Sequence, residues 1–336
     1  MSSPLFPIPA KSPLVGIARL ASQGETLREG HNVEYFTLPA RSILNRCVSN
    51  RRLPFTWTIN PYRGCEFACK YCYARYTHEF MEMRDGAEFK RKIYVKQHTA
   101  ELLRHDLRKV KLKEAIALGT ATDPYQPAER RYQITRGILE EFARHRGFEL
   151  GIVTKSNLIV RDLDLLRAVA RHNALSVHMT VTTMNADLAR ILEPRAPRPD
   201  LRIEAVRELS SAGINVGVSA SPVLPGITDV PSDLEAVVRA AAQAGAKHIF
   251  AGPLFLKPCA AAIFLPFLEQ NFPHLVENYR QRYQDRSFLP DSYGKRIAQL
   301  VTSFRHKYGI QHRELRDSMD AEKWAMQAIE EQRSLF

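Results

Sequence analysis

Three cysteines fall within eight residues, Cys65-Glu-Phe-Ala-Cys69-Lys-Tyr-Cys72, directly after Asn60-Pro61-Tyr62-Arg63-Gly64. No other feature constrains the chain as much. Iron–sulfur clusters are ordinarily held by four thiolates, so three leave one iron open to a small molecule. An open coordination site is how such a centre gains chemistry beyond electron storage. Zinc is the rival. It wants a fourth ligand, and a structural site usually comes as two Cys/His pairs. Cys47, His78 or His98 can supply the fourth, but no second C-x-x-C follows. A disulfide framework fits poorly, because the cysteines are few and nothing points to secretion. A chance group of buried thiols would leave the surrounding Pro, Gly and aromatic residues unexplained.

A chain of 336 residues can bury a large core, as one α/β barrel or as two small domains. The prolines of Met1-Ser-Ser-Pro-Leu-Phe-Pro-Ile-Pro interrupt the apolar run that a signal peptide needs. No window approaches the ~18 uninterrupted apolar residues of a membrane span. The expectation is a cytoplasmic protein, in a compartment that keeps thiols reduced. The net charge of +12 is uneven. Residues 1–113 hold 20 Lys/Arg against 10 Asp/Glu, and the rest hold 28 against 26. A basic first third argues for a polyanionic partner, with nucleic acid the first choice. A solvated basic surface without a partner is the alternative.

Strand and helix patterns alternate along the chain. Residues 55–60 alternate β-branched and aromatic types and read as the first strand, with the cysteine loop behind it. Helix over 99–111, strand over 115–119, helix over 132–145 and strand over 148–154 follow. Then come helix over 162–171, strand over 175–181 and a helix over 199–212, opened by Pro199 and closed by Gly213. Strand over 214–220, helix over 232–244 and strand over 247–251 complete the series. Six strands interleaved with helices imply parallel βαβ units, either a partial (β/α)6 barrel or an open doubly wound sheet. Both gather a site at the carboxyl ends of the strands. Residues 1–50 read as an N-terminal extension wrapping the core, with a short helical turn over 41–46. Residues 51–258 read as the core, 259–331 as a helical C-terminal region, and 332–336 as a terminal peptide.

The cysteine spacing resembles that of the radical S-adenosylmethionine (SAM) superfamily. Asn60-Pro-Tyr-Arg-Gly-Cys65 and Tyr71-Cys72-Tyr73-Ala74-Arg75 resemble its spore-photoproduct-lyase-like branch. So do Thr122-Asp-Pro-Tyr-Gln-Pro127 with Glu129, Thr154-Lys-Ser-Asn157 with Arg161-Asp162, Glu193-Pro194-Arg195, and Ser221-Pro-Val-Leu-Pro-Gly-Ile-Thr-Asp229. The resemblance covers about residues 41–258. It implies a partial (β/α)6 TIM-type barrel and a [4Fe-4S] cluster on Cys65, Cys69 and Cys72, with SAM on the open iron. The implied reaction is reductive cleavage of SAM to a 5′-deoxyadenosyl radical, with an electron donor such as flavodoxin or ferredoxin.

It also implies cofactor-binding positions. Tyr71 would lie against adenine, or simply pack over the cluster. Asp123 would face SAM or substrate, or make an Asx-turn in a Pro-stiffened loop. Lys155 would pair with the SAM carboxylate, and Ser156 would bond SAM or cap the next helix. Ser221 would let adenine approach the backbone, or shape a turn. Glu193 and Arg195 would position a ribose or phosphate, or form a surface ion pair. No residue is assigned as catalytic: Cys259 and Cys47 read as inert thiols.

The last five residues, Gln332-Arg-Ser-Leu335-Phe336, resemble the Gln-x-x-Leu-Phe peptide by which bacterial repair and replication proteins dock on the DNA sliding clamp. Together with the basic first third, this makes repair or modification of DNA the first expectation of function. Radical modification of RNA or protein is the second, and a non-catalytic, zinc-stabilised nucleic-acid-binding module the third.

Overall fold

The computed structural model describes residues 14–30, 33–47, 54–83, 85–111 and 114–310. Eleven strands are found among them. In chain order they are β1 (Thr26–Gly30), β2 (Val33–Leu38), β3 (Leu44–Arg46), β4 (Trp57–Ile59), β5 (Tyr62–Arg63), β6 (Lys92–Lys96), β7 (Ala115–Leu118), β8 (Glu149–Thr154), β9 (Ala174–Thr180), β10 (Val216–Ser219) and β11 (His248–Phe250). Seven make the main sheet, in the order β11-β10-β9-β8-β7-β4-β3. Strands β4 and β7 to β11 are parallel, and β3 closes one edge antiparallel to β4. This is a mixed α/β fold of the partial-barrel type, with a helical C-terminal region.

Period-two alternation explains the layering. In β9 the side chains of Leu175, Val177 and Met179 enter the main core, while Ser176, His178 and Thr180 take the other face. The helices Thr99–Asp106, Ile134–Ala143, Leu163–Ala170, Pro199–Ser211 and Pro231–Gln243 cover the apolar face. Pro199 stands at the start of its helix, and Gly213 follows its end with φ +81°. Three helices, Pro258–Asn271, Val276–Tyr283 and Asp291–Lys307, make up the described C-terminal region.

Residues before 100 depart most from expectation. Residues 44–46 are a strand, not part of a helical turn, because Leu44 and Arg46 pair with Ile59 and Trp57 on β4. A second sheet, in the order β1-β2-β6-β5, lies outside the alternating pattern. Its β2 and β6 are parallel neighbours almost 60 residues apart, so no local signal announces the pairing.

Candidate active site

The cysteine loop follows β4, with groups from the carboxyl ends of β7, β8 and β9 around it. Strand β4 ends at Ile59, and Asn60 bridges to the turn after β7. Its amide oxygen accepts from Ala121 N at 2.7 Å, and its amide nitrogen donates to Thr120 Oγ1 at 3.2 Å. Gly64 then turns the chain with φ +84°. A Cβ there would lie 2.6 Å from the Lys92 carbonyl oxygen, so both conformation and space require glycine.

The loop after β7 grips the cysteine segment by its backbone. Thr122 Oγ1 donates to the Gly64 carbonyl at 2.6 Å, and Gln126 Nε2 to the same oxygen at 3.1 Å. Glu66 N donates to Gln126 Oε1 at 2.9 Å. The buried Glu66 carboxylate accepts from Ala128 N at 2.7 Å and Tyr35 Oη at 3.0 Å. From the other side, Arg75 Nη2 donates to the Cys69 carbonyl at 2.8 Å. Sequence reading did not single out Glu66 or Arg75. A charged residue within or just after an apolar cysteine loop is the one signal that could have marked them.

Cys65 and Cys69 are buried and Cys72 half-buried, among Phe67, Phe89, Ala121 and Leu256. Burial holds the Cys65 thiol well above its usual range, and Asp123, Cys69 and Cys72 add to the shift. Burial likewise pushes Cys69 up to about 12, against the charge of Lys155. Thiols in such a place become thiolates when a bound metal displaces their protons.

Tyr71, between the second and third cysteines, points its phenol into a buried polar node. Its hydroxyl donates to Glu193 and lies 3.1 Å from Thr182 Oγ1. Thr182 Oγ1 donates to Glu193 Oε1 at 2.9 Å, Arg202 Nη2 to Glu193 Oε2 at 2.5 Å, and Lys155 Nζ stands 4.0 Å from Glu193 Oε1. Burial alone would raise the Glu193 carboxyl, but Arg202 and Lys155 outweigh it and hold it at about 2. Glu193 is therefore the buried partner of Arg202, not one half of a surface pair with Arg195. Arg195 meets the cysteine loop through its backbone, donating to the Phe67 carbonyl at 3.3 Å.

The remaining candidates each hold local structure. Asp123 accepts from Tyr125 N at 2.9 Å, Thr154 Oγ1 at 2.7 Å and Lys155 N at 2.8 Å. Ser156 caps the short helix Asn157–Asp162, accepting from Leu158 N at 3.3 Å. Ser221 Oγ accepts from Gly252 N at 2.8 Å, and its carbonyl lies 3.5 Å from Thr182 Oγ1. Glu129 is buried and accepts from Tyr62 Oη at 2.5 Å and Arg161 Nη2 at 3.0 Å. It also accepts from Thr135 N and Arg136 N, the first turn of Ile134–Ala143. That arrangement uses the helix N-terminus to hold a carboxylate. His78 hydrogen-bonds the Lys92 carbonyl and is wedged against Phe89, whereas His98 is exposed. Cys259 Sγ lies 3.9 Å from the Tyr73 carbonyl oxygen.

These features define a class: an α/β barrel protein whose chemistry rests on a cysteine loop at the carboxyl ends of parallel strands. Residues 59–241 match the family model described as Radical SAM superfamily, and the chain belongs to that superfamily as one of its enzymes. The uncharacterized protein Rv2578c of Mycobacterium tuberculosis is 36% identical over 278 residues, 81% of this chain and 82% of that protein. The uncharacterized protein MJ0683 of Methanocaldococcus jannaschii is 30% identical over 221 residues, 66% of this chain and 78% of that protein. Among solved structures, a spore photoproduct lyase mutant with bound AdoMet and dinucleoside spore photoproduct is similar with a TM-score of 0.63. That match covers 91% of this chain and 85% of that chain at 14% identity, and it is a likeness of fold.

Proposed function

We propose that the protein is a [4Fe-4S]-dependent radical SAM enzyme that acts on nucleic acid, with a DNA lesion or DNA base as its first substrate. The observation that carries the reading is the cysteine loop, fixed at Gly64 and Glu66 by the loop after β7 and at Cys69 by Arg75. Among the described residues, no three His, Cys, Asp or Glu side chains converge as one metal ion would need. Thiols spread along a loop suit a cluster, where each thiolate takes a different iron. Cys65, Cys69 and Cys72 would hold it. With SAM bound, it would supply one-electron reductive cleavage of SAM to methionine and a 5′-deoxyadenosyl radical able to take a hydrogen atom from the substrate.

The chain's own residues bind, orient and exclude water. Lys155 offers an ammonium that the SAM carboxylate can share with Glu193. Asp123 holds the Lys155 backbone, so it positions that lysine rather than reaching SAM itself. Tyr71 is anchored by its hydroxyl, which leaves its ring as a rigid wall for adenine. Ser156 caps the short helix after β8, and Ser221 ties the end of β10 to Gly252. Among the described residues, no helix is long and apolar enough to cross a membrane. We place the protein in the cytoplasm, with flavodoxin or ferredoxin as electron donor. The clamp-like peptide Gln332, Leu335 and Phe336 lies outside the described residues. It supports a DNA substrate over RNA or protein.

Anaerobic reconstitution with iron and sulfide, then dithionite and SAM, tests the reading. Wild-type protein should release 5′-deoxyadenosine and Cys69→Ala should not. One zinc per chain, with no cluster and no cleavage, would overturn it in favour of a zinc-stabilised binding module. Loss of clamp binding on deleting Leu335 and Phe336 would support the DNA assignment.

A further inference from the structure

A cavity of about 200 Å³ lies between β3, β5 and the end of β6, two residues upstream of the first cysteine. Arg46, Arg63 and Lys96 are among its lining residues, with Asn45, Asn60 and Thr77 beside them. No Asp or Glu is among the lining residues. Lys96 is only 5% exposed, yet among the described residues no carboxylate pairs with its ammonium. Arg63 is its charged neighbour, and the two repel. A buried cation without an anion is costly, so such groups are normally paired or neutralised. Burial, with Arg63 beside it, drives Lys96 down to about 7.

Size narrows the occupant. Sites that enclose a drug-sized ligand run to about 300–1,000 Å³, so this one fits a single tetrahedral anion with its ester arms. Arginine offers a planar fork for phosphate oxygens, and lysine a point charge. Asn60 ties this cavity to the cysteine side, since its other contacts are Thr120 and Ala121 at the end of β7.

We propose that this cavity is a phosphate subsite, which seats a backbone phosphodiester of the nucleic-acid substrate beside the radical centre. The inference rests on the nucleic-acid reading above and adds to it the group by which the strand is held. Lys96 with Arg63 receives the phosphate inside, while the Arg46 guanidinium stays over the Trp57 ring, 5.8 Å from its centroid.

The test is a binding measurement on the reconstituted protein without reductant, so it does not depend on SAM cleavage. The probes are thymidylyl-thymidine dinucleotide, its uncharged methylphosphonate isostere, and inorganic phosphate. Wild-type protein should bind the dinucleotide at least tenfold more tightly than the isostere. Lys96→Met should lose that discrimination while raising the Tm by several degrees, because an apolar chain replaces an unpaired buried charge. Arg46→Gln, which removes a guanidinium that lies over Trp57 and not inside the cavity, should keep the tenfold preference for the dinucleotide. Equal binding of dinucleotide and isostere by the wild type would overturn the proposal. So would a fall in Tm for Lys96→Met, or loss of SAM affinity in that variant, which would give the cavity to SAM. Inorganic phosphate binding as tightly as the dinucleotide would reduce the site to a free-anion site and remove the strand.

Discussion

Two buried charge clusters flank the cysteine loop, and they are built oppositely. At Glu193 one carboxylate is surrounded by Tyr71, Thr182, Arg202 and Lys155, so each oxygen has a donor. At Lys96 two cations face a cavity with no carboxylate among its lining residues. The first cluster is complete within the chain. In the second, the proposed phosphate would answer Lys96. Removing a partner should therefore cost stability in the first, and a ligand would add binding energy in the second.

The largest effect expected from breaking this contrast is at Arg202. Arg202→Leu leaves the Glu193 carboxylate buried without its main partner and should cost about 3–5 kcal/mol in urea denaturation. The pH course gives the sign. Glu193 falls from an ordinary 4.5 to about 2 in the folded protein, so its contribution is present above pH 4.5. It is lost as the pH drops through about 2, and the gap between wild type and variant should close over that window.

Lys96→Met should move stability the other way, by about 2–4 kcal/mol at neutral pH. The ammonium titrates at about 7 when folded and at 10.5 when not, so the unfolded chain binds more protons between those values. Wild-type stability should rise with pH across that window and approach the variant near its top. Denaturation at pH 6.5 and pH 9.5 checks this. An equal difference at both would show that Lys96 carries no buried charge.

Tyr71→Phe is the smallest and most selective change. It keeps the ring and removes one hydrogen bond to the Glu193 carboxylate, a loss of about 1–2 kcal/mol by urea denaturation. A zero effect would mean that Thr182, Arg202 and Lys155 already satisfy Glu193 without it.

Much of the barrel was legible because its signals are local. Six parallel strands and the helices between them lie within a few residues of where alternation, prolines and glycines put them. The pairing of β2 with β6 and the place of β3 were not legible. Those pairings join segments whose own sequences are short and ambiguous. Among site residues, Tyr71, Lys155 and Glu193 stood out as motif members, but their convergence could not be read. Tyr71 and Glu193 are 122 residues apart in the chain. Glu129 drew notice as a motif member beside Thr122–Pro127, yet only the fold shows it closing a helix N-terminus.

By itself the sequence determined the cysteine spacing, the order of strands and helices, and the end of the barrel where the cysteine loop stands. Thiol spacing and residue periodicity are properties of a few neighbouring residues, and neighbours are what a sequence records. Tertiary structure alone decided which charges are answered and which are left open. Glu193 meets Arg202, while Lys96 meets Arg63 and a cavity, because burial and partner are set by which distant strands pack together.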